Sequence, residues 1–210
     1  MSGFEWLFLK GLGFGLVLAA PVGPIGVLAV RRSLADGFLP GVTGGLGTAT
    51  ADALYAAVAA FGLTAVSAFL VAQQDVMRIL GGAFLVWLGV AAIRRGATQA
   101  ASVAGRRAEG LVGIYLSTFA LTVANPATIL TFLALFAGLG VVQASAGAGT
   151  WASSVLVVGV FLGSLLWWVF LCGAVSLVRT RVTPKAMVWI NRVSGVVLAG
   201  FGAAALFGFL

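Results

Sequence analysis

Apolar residues run along the chain in six long blocks, separated by short polar or Gly-rich breaks. The blocks are Phe4 to Val30, Leu39 to Val71, Ile79 to Ile93, Leu111 to Val142, Trp151 to Val178 and Val188 to Leu210. A membrane-crossing helix needs about 20 mostly apolar residues. The pattern therefore predicts an all-α polytopic membrane protein, with six transmembrane helices in a single transmembrane domain over residues 1–210. Blocks two, four and five exceed one crossing, which predicts included loop or tilt. The third is short but strongly apolar.

The pattern also has a midpoint. A polar linker from Gly96 to Gly110 divides the chain, leaving three spans on either side (about 1–95 and about 111–210). An odd number of spans per half forces the halves into opposite orientations, the topology of an inverted repeat. The helix breakers agree. Pro21 and Pro24 interrupt the first span of half one, and Pro126 the first span of half two. Pro21 and Pro126 are 105 residues apart, half of the 210-residue chain. We expect helices 1 and 4 to be broken at these prolines.

Composition strengthens the membrane reading. Charged residues make up 8% and apolar residues 61%, where a soluble domain carries about a quarter charged. A cytosolic enzyme, a nucleic-acid-binding module and a disulfide scaffold are excluded. The formal charge of +7 reads as cytoplasmic loop charge, not as a nucleic-acid footprint. Ten of the twelve basic residues fall at three places: Arg31 and Arg32; Arg94, Arg95, Arg106 and Arg107; and Arg179, Arg181, Lys185 and Arg192. Only Lys10 and Arg78 lie on the other side. The positive-inside rule then puts loops one, three and five in the cytoplasm and both termini outside it. There is no His and one Cys, Cys172, which argues against zinc or copper chemistry and against a disulfide relay. No cofactor, metal site or catalytic nucleophile–base pair is predicted, so the chain is not expected to be an enzyme.

The chemistry lies in the few polar groups within the spans. Ala20-Pro21-Val22-Gly23-Pro24 should unwind the first helix, because each proline removes a backbone donor and clashes with the preceding turn. Ala124-Asn125-Pro126 should do the same in the fourth. Freed carbonyls in lipid must find partners or line a wet cavity. One reading is two discontinuous helices presenting N–H and C=O groups to a solute at mid-depth; the other is a pair of structural kinks. Asp52 is the only carboxylate well inside a span, where an ionisable group costs about 2.5 kcal/mol or more. Gly41, Gly45, Thr48, Asp52 and Tyr55 share one helix face. Asp52 is therefore a candidate for a proton, a substrate ammonium, or both in turn; the competing reading is interhelical hydrogen bonding. Thr118, Thr122, Thr128 and Thr131 read mainly as back-bonded to their own helix. Trp167 and Trp168 read as packing, Gly159 and Gly163 as a helix-packing pair, the arginine pairs as topology anchors, and Asn191 and Arg192 as interfacial caps.

These residues together resemble a known family. Pro21-Val22-Gly23-Pro24, Val30-Arg31-Arg32-Ser33-Leu34, Asp36-Gly37, Gly41, Gly45 and Asp52 resemble the N-terminal signature of the lysine exporter (LysE/RhtB) family of amino-acid export permeases. The run Gly81 to Gly89 is similar to its third span, Asn125-Pro126 to its fourth, and Ile190 to Val196 to the opening of its last. The resemblance implies an inner-membrane exporter of amino acids or related small zwitterionic solutes, driven by a proton or sodium gradient. Pro-Val-Gly-Pro in place of Pro-Gly-Pro, Ala127 where Lys is common, and Phe84 where Tyr is frequent leave the substrate open.

The expected function is thus a secondary exporter working by alternating access, with proton binding at Asp52 opposing the substrate ammonium. Substrate-binding candidates are Pro21, Gly23, Pro24, Thr48, Asp52, Asn125 and Pro126, with Asp52 also the coupling-ion site. Expected partners are an amino-acid-like substrate, a proton or sodium, and membrane lipids, with a homodimer compatible and nucleic acid excluded. A cation or metal-ion exporter of the same superfamily and a non-transporting scaffold are the alternatives.

Overall fold

The computed structural model describes residues 3–20, 23–61, 72–98, 110–125 and 141–208, with positions 69, 128, 131 and 132 besides. Seven α-helices and no strand occur among these residues. They are α1 (Gly3–Ala19), α2 (Pro24–Asp36), α3 (Phe38–Ala60), α4 (Gln74–Thr98), α5 (Leu111–Val123), α6 (Val141–Val178) and α7 (Pro184–Leu206), with a 3-10 turn at Arg179–Arg181. The protein is an all-α polytopic membrane protein. Three helices are long and apolar enough to cross a bilayer, within α4, α6 and α7; α1 and α2, bent by 82° across their break, make a fourth if counted as one span.

Local sequence accounts for the boundaries. α1 stops at Ala19, because the residue before a proline is disfavoured in helical conformation. Pro24 then occupies the first turn of α2, where its missing N–H costs nothing. Gly37, at φ 101°, ends α2 and starts α3 without a gap, a left-handed turn that favours glycine. Thr183 caps α7, its Oγ1 accepting a hydrogen bond from the Ala186 N–H at 3.2 Å. Asn191 is not the cap expected from the sequence: it lies inside α7 and is buried.

The molecule is apolar outside and polar within. Val17, Leu80, Trp87, Val112, Phe170, Trp189 and Val196 are exposed, while Thr48, Asp52, Thr118, Thr122, Ser153, Ser164 and Asn191 are buried. A soluble protein could not show water so much apolar surface. In lipid, helices are not driven together by hydrophobicity, so close packing and polar contacts must hold them.

The helix directions follow from which residues meet. Gly11 of α1 faces Leu156 to Val160 of α6, and Gly15 faces Val160 to Ser164, so these two helices run parallel. The Gly159 and Gly163 pair packs against Phe8, Gly11 and Leu12 of α1. α3 runs parallel to α5, with Gly44 by Thr118, Gly47 by Phe119 and Tyr55 bonded to Val123. It runs antiparallel to α6, with Gly41 by Cys172, Gly45 by Trp168, Asp52 by Ser164 and Ala60 by Ser153. α4 and α7 are also antiparallel, Gly82 meeting Gly202 and Gly89 meeting Gly195.

Arg31 and Arg32 differ from the exposed anchors that the sequence suggested. Helix α2 continues through them to Asp36, and both side chains are buried. The Arg32 Nη1 donates to Thr118 Oγ1 at 2.6 Å, and Nη2 to Ser117 Oγ at 3.2 Å. Serine and threonine hydroxyls satisfy a guanidinium that could not stay in a low-dielectric interior alone.

Candidate functional site

The break between α1 and α2, the middle of α3, the start of α4 and the end of α5 surround one cavity of ≈ 530 Å³. Gly23, Pro24, Thr48, Asp52 and Asn125 all line it. These are five of the seven substrate-binding candidates; Pro21 and Pro126 lie outside the described residues. Residues from both halves of the chain, more than 70 positions apart, thus converge on one space.

Asp52 is held at the α3–α6 contact. Its Oδ2 accepts a hydrogen bond from Ser164 Oγ at 2.7 Å, and both residues are buried. Trp168, one turn further along α6, packs over Gly45 and lines the cavity with Asp52. Glycine at 45 is needed for this, because any Cβ there would run into the Trp168 ring. On the α5 side, the Thr48 and Thr122 hydroxyl oxygens stand 3.5 Å apart. Thr118 and Thr122 each donate to the carbonyl four residues back, at 2.9 Å, the back-bonding expected of them. Thr122 and Thr128 also line the cavity.

The helix ends carry the remaining polarity. The amino end of α2, with Gly23, Pro24, Ile25 and Gly26, borders the cavity, and so do Ala124 and Asn125 at the carboxyl end of α5. A helix amino terminus favours an anion and a carboxyl terminus a cation. Tyr55, one turn beyond Asp52 on α3, donates its hydroxyl to the Val123 carbonyl at 2.5 Å and so fixes the α5 end. Apart from Arg78 and Thr131, the rest of the wall is apolar, from Leu18, Leu85, Leu121, Phe132 and Phe201 among others. Among the described residues, no group of three His, Cys, Asp or Glu side chains could hold a metal ion.

Sequence reasoning missed three lining or supporting residues. Ser164 sits in an apolar span and gave no signal by itself. Its clue lay in topology, since α3 and α6 are the middle spans of their halves. Trp168 read as packing, and it does pack, but on the site. Arg78 was counted only as a charge on the less basic side.

Residues 16–208 match the sequence profile of the LysE type translocators. The chain belongs to the LysE family. Among its relatives is an uncharacterized membrane protein, YahN of Escherichia coli, 31% identical over 182 residues, 86% of this chain and 80% of the relative. A putative amino acid efflux protein of Bacillus subtilis, YcgF, is 26% identical across 93% of both chains. A chemotactic transduction protein of Pseudomonas aeruginosa, ChpE, is 31% identical across 96% of this chain and 98% of its own. No solved structure matches. Membership in the LysE family makes the protein a multi-pass translocator.

Proposed function

We propose that this LysE-family protein exports amino acids or closely related zwitterions across the inner membrane by cation-coupled antiport. One observation carries the reading: the one buried carboxylate among the described residues, Asp52, lines a cavity bordered by helix ends from both halves. The substrate ammonium pairs with Asp52. Its carboxylate is favoured at the amino end of α2, where Gly23 and Ile25 offer backbone N–H groups, or beside Asn125. A proton or sodium ion on Asp52 displaces the ammonium, so ion and substrate occupy one carboxylate in alternation. The B. subtilis relative, named a putative amino acid efflux protein, supports the same substrate class.

The alternating-access mechanism rests on an inverted repeat, residues up to about 95 against residues from about 111. The helix pairing supports it. An in-plane two-fold exchanges the first spans, the second spans and the third spans of the halves. It maps the α1–α6 pair onto the α5–α3 pair, and both pairs are parallel. It maps α3–α6 and α4–α7 onto themselves, and both are antiparallel, as such an axis demands. The excess of basic residues in the third and fifth loops puts both termini outside the cytoplasm, so a periplasm-dependent reporter fused after Leu210 is active, and one active only in the cytoplasm sinks this orientation.

A cation exporter is less favoured, because Asp52 is the only carboxylate among the described residues of a largely apolar wall and hard cations prefer several oxygen ligands. The test is efflux from loaded proteoliposomes across a panel of amino acids, with and without a pH or sodium gradient. Wild-type protein drives gradient-dependent efflux of one or more of them. Asp52→Asn keeps shape and hydrogen bonding but cannot alternate charge, so it inserts normally, loses gradient-driven efflux by about 100-fold or more (a coupling of roughly 3 kcal/mol), and retains exchange. Wild-type coupling in a folded Asp52→Asn protein refutes the mechanism.

A further inference from the structure

Two charged side chains face the cavity: Asp52 from α3 and Arg78 from α4. The function proposed above uses only the first. Arg78 lies in the first turns of α4, between Asp75 and the Gly81-Gly82 step. Gly81 packs beside Ala124 at the end of α5, so Arg78 stands about one helical turn, roughly 5 Å, beyond that level. Its Nη2 pairs with Asp75 Oδ1 at 3.1 Å, and Asp75 is itself exposed. The Arg78 Nε is buried and has no hydrogen-bond partner. A guanidinium has five N–H donors in a rigid fork, suited to bidentate binding of a carboxylate. The i,i+3 pair with the exposed Asp75 is weak, and with Nη1 packed beside Gly208 the buried Nε is the donor left for a ligand. Around the two charges, the wall is mostly apolar, from Leu18, Leu85, Leu121, Phe132, Trp168 and Phe201, with threonines and Asn125 as its uncharged polar part and no further charge among the described residues.

We propose that Arg78 is the carboxylate-recognising residue of the site, and that the substrate is an α-amino acid with an uncharged, apolar side chain, held between Asp52 and Arg78. This rests on the exporter reading and narrows it, with the Arg78 guanidinium taking the substrate carboxylate in place of the α2 amino end or Asn125. An α-amino acid carries one ammonium and one carboxylate, matching the one anion and one cation of the wall. A second ammonium, as in lysine, or a second carboxylate, as in glutamate, would meet aliphatic and aromatic side chains without a counter-charge, and burying an unpaired charge is strongly unfavourable. A leucine-like side chain removes its surface from water against the same wall.

The test is binding to the purified full-length protein in lipid nanodiscs, by calorimetry, with leucine, lysine, glutamate, leucinamide (no carboxylate) and isocaproate (no ammonium). Wild type binds leucine more tightly than lysine or glutamate, and leucine more tightly than leucinamide. Arg78→Gln weakens leucine by roughly 10- to 100-fold, as loss of a charge-assisted contact does, and leaves leucinamide unchanged. Arg78→Lys recovers part of the leucine affinity. Asp75→Asn, which breaks the exposed pair but keeps the guanidinium, binds leucine like wild type. Equal weakening of leucine and leucinamide by Arg78→Gln overturns the recognition role, since a merely structural arginine acts on both alike. Tighter binding of lysine or glutamate than leucine overturns the substrate class and leaves the exporter reading standing. Failure to bind any amino acid while transport is also absent across the panel overturns both.

Discussion

Two kinds of helix seam hold this protein together, and they differ in what they allow. Along α1–α6 and α4–α7 the backbones touch. A Cβ at Gly159 would sit 2.6 Å from the Phe8 carbonyl oxygen, and one at Gly202 2.6 Å from the Gly82 carbonyl oxygen. Such seams have a single packing solution, because nothing but glycine fits and lipid supplies no alternative driving force. Along α3 one glycine, Gly47, also brings its backbone against α5, but beside the cavity the contacts run through polar side chains: Asp52 with Ser164, Thr48 with Thr122, Tyr55 with the end of α5. Hydroxyls and a carboxylate can exchange one partner for another at small net cost. The glycine seams are therefore the frame, and the polar seam is where a solute or an ion can intervene.

The comparison breaks most sharply at Gly89. A Cβ there would lie 2.5 Å from the Gly195 carbonyl oxygen and 2.6 Å from the Ala199 nitrogen. Gly89→Leu forces α4 and α7 apart and destabilises by roughly 3 kcal/mol or more, the upper range of overpacking. Gly200→Leu, on α7 but with nothing within 4 Å, is the matched control and folds normally. Thermal unfolding of the two proteins in detergent checks this, and equal losses would remove the distinction between seam and non-seam glycines. Asp52→Asn reverses the pattern: stability falls by about 1 kcal/mol or less, while coupled transport is lost.

The legibility of the sequence divides along the same line. The membrane class, the breakers in the first and fourth spans and the polar face of α3 were readable, because hydropathy, proline and a lone carboxylate are local signals. The α1 and α5 helices stop at Ala19 and Val123, just ahead of their prolines. What the sequence hid was pairing. Nothing local marks Ser164 as the partner of Asp52, or distinguishes Gly89, pressed on α7, from Gly200, which touches nothing. Arg31 and Arg32 misled for the same reason. A basic pair after an apolar block reads as loop charge, and the placement of Ser117 and Thr118 across from Arg32 helps make its burial tolerable.

Arg32 is the next way to sharpen the contrast, because it brings a polar contact to the α2–α5 crossing. Its two hydrogen bonds to α5 are charge-assisted, the one to Thr118 buried and the one to Ser117 part-buried. Arg32→Gln removes the charge and shortens the reach, and we expect a stability loss of about 2 kcal/mol. Hydrogen exchange should rise in α2 and at Ser117 and Thr118, and stay unchanged in α4 and α7. A uniform rise across the protein would mean that Arg32 supports the whole frame and not this one crossing.

The smallest expected effect is at Tyr55, and it separates a supporting residue from one that touches the solute. Its hydroxyl bonds the Val123 carbonyl, one of the last carbonyls of α5, which have no partner within the helix. Its ring packs on Phe132 with centroids 5.6 Å apart. Tyr55→Phe keeps the ring contact and deletes only the hydroxyl, so the loss is one hydrogen bond, about 1 kcal/mol. That loosens the α5 end beside Ala124 and Asn125, which line the cavity, without altering any charge in it. Efflux should fall by only a few-fold, and its dependence on the ion gradient should match wild type. Gradient dependence lost as completely as in Asp52→Asn would place Tyr55 in the coupling step itself. An unchanged melting temperature would show that the polar seam holds the α5 end by other contacts than this bond.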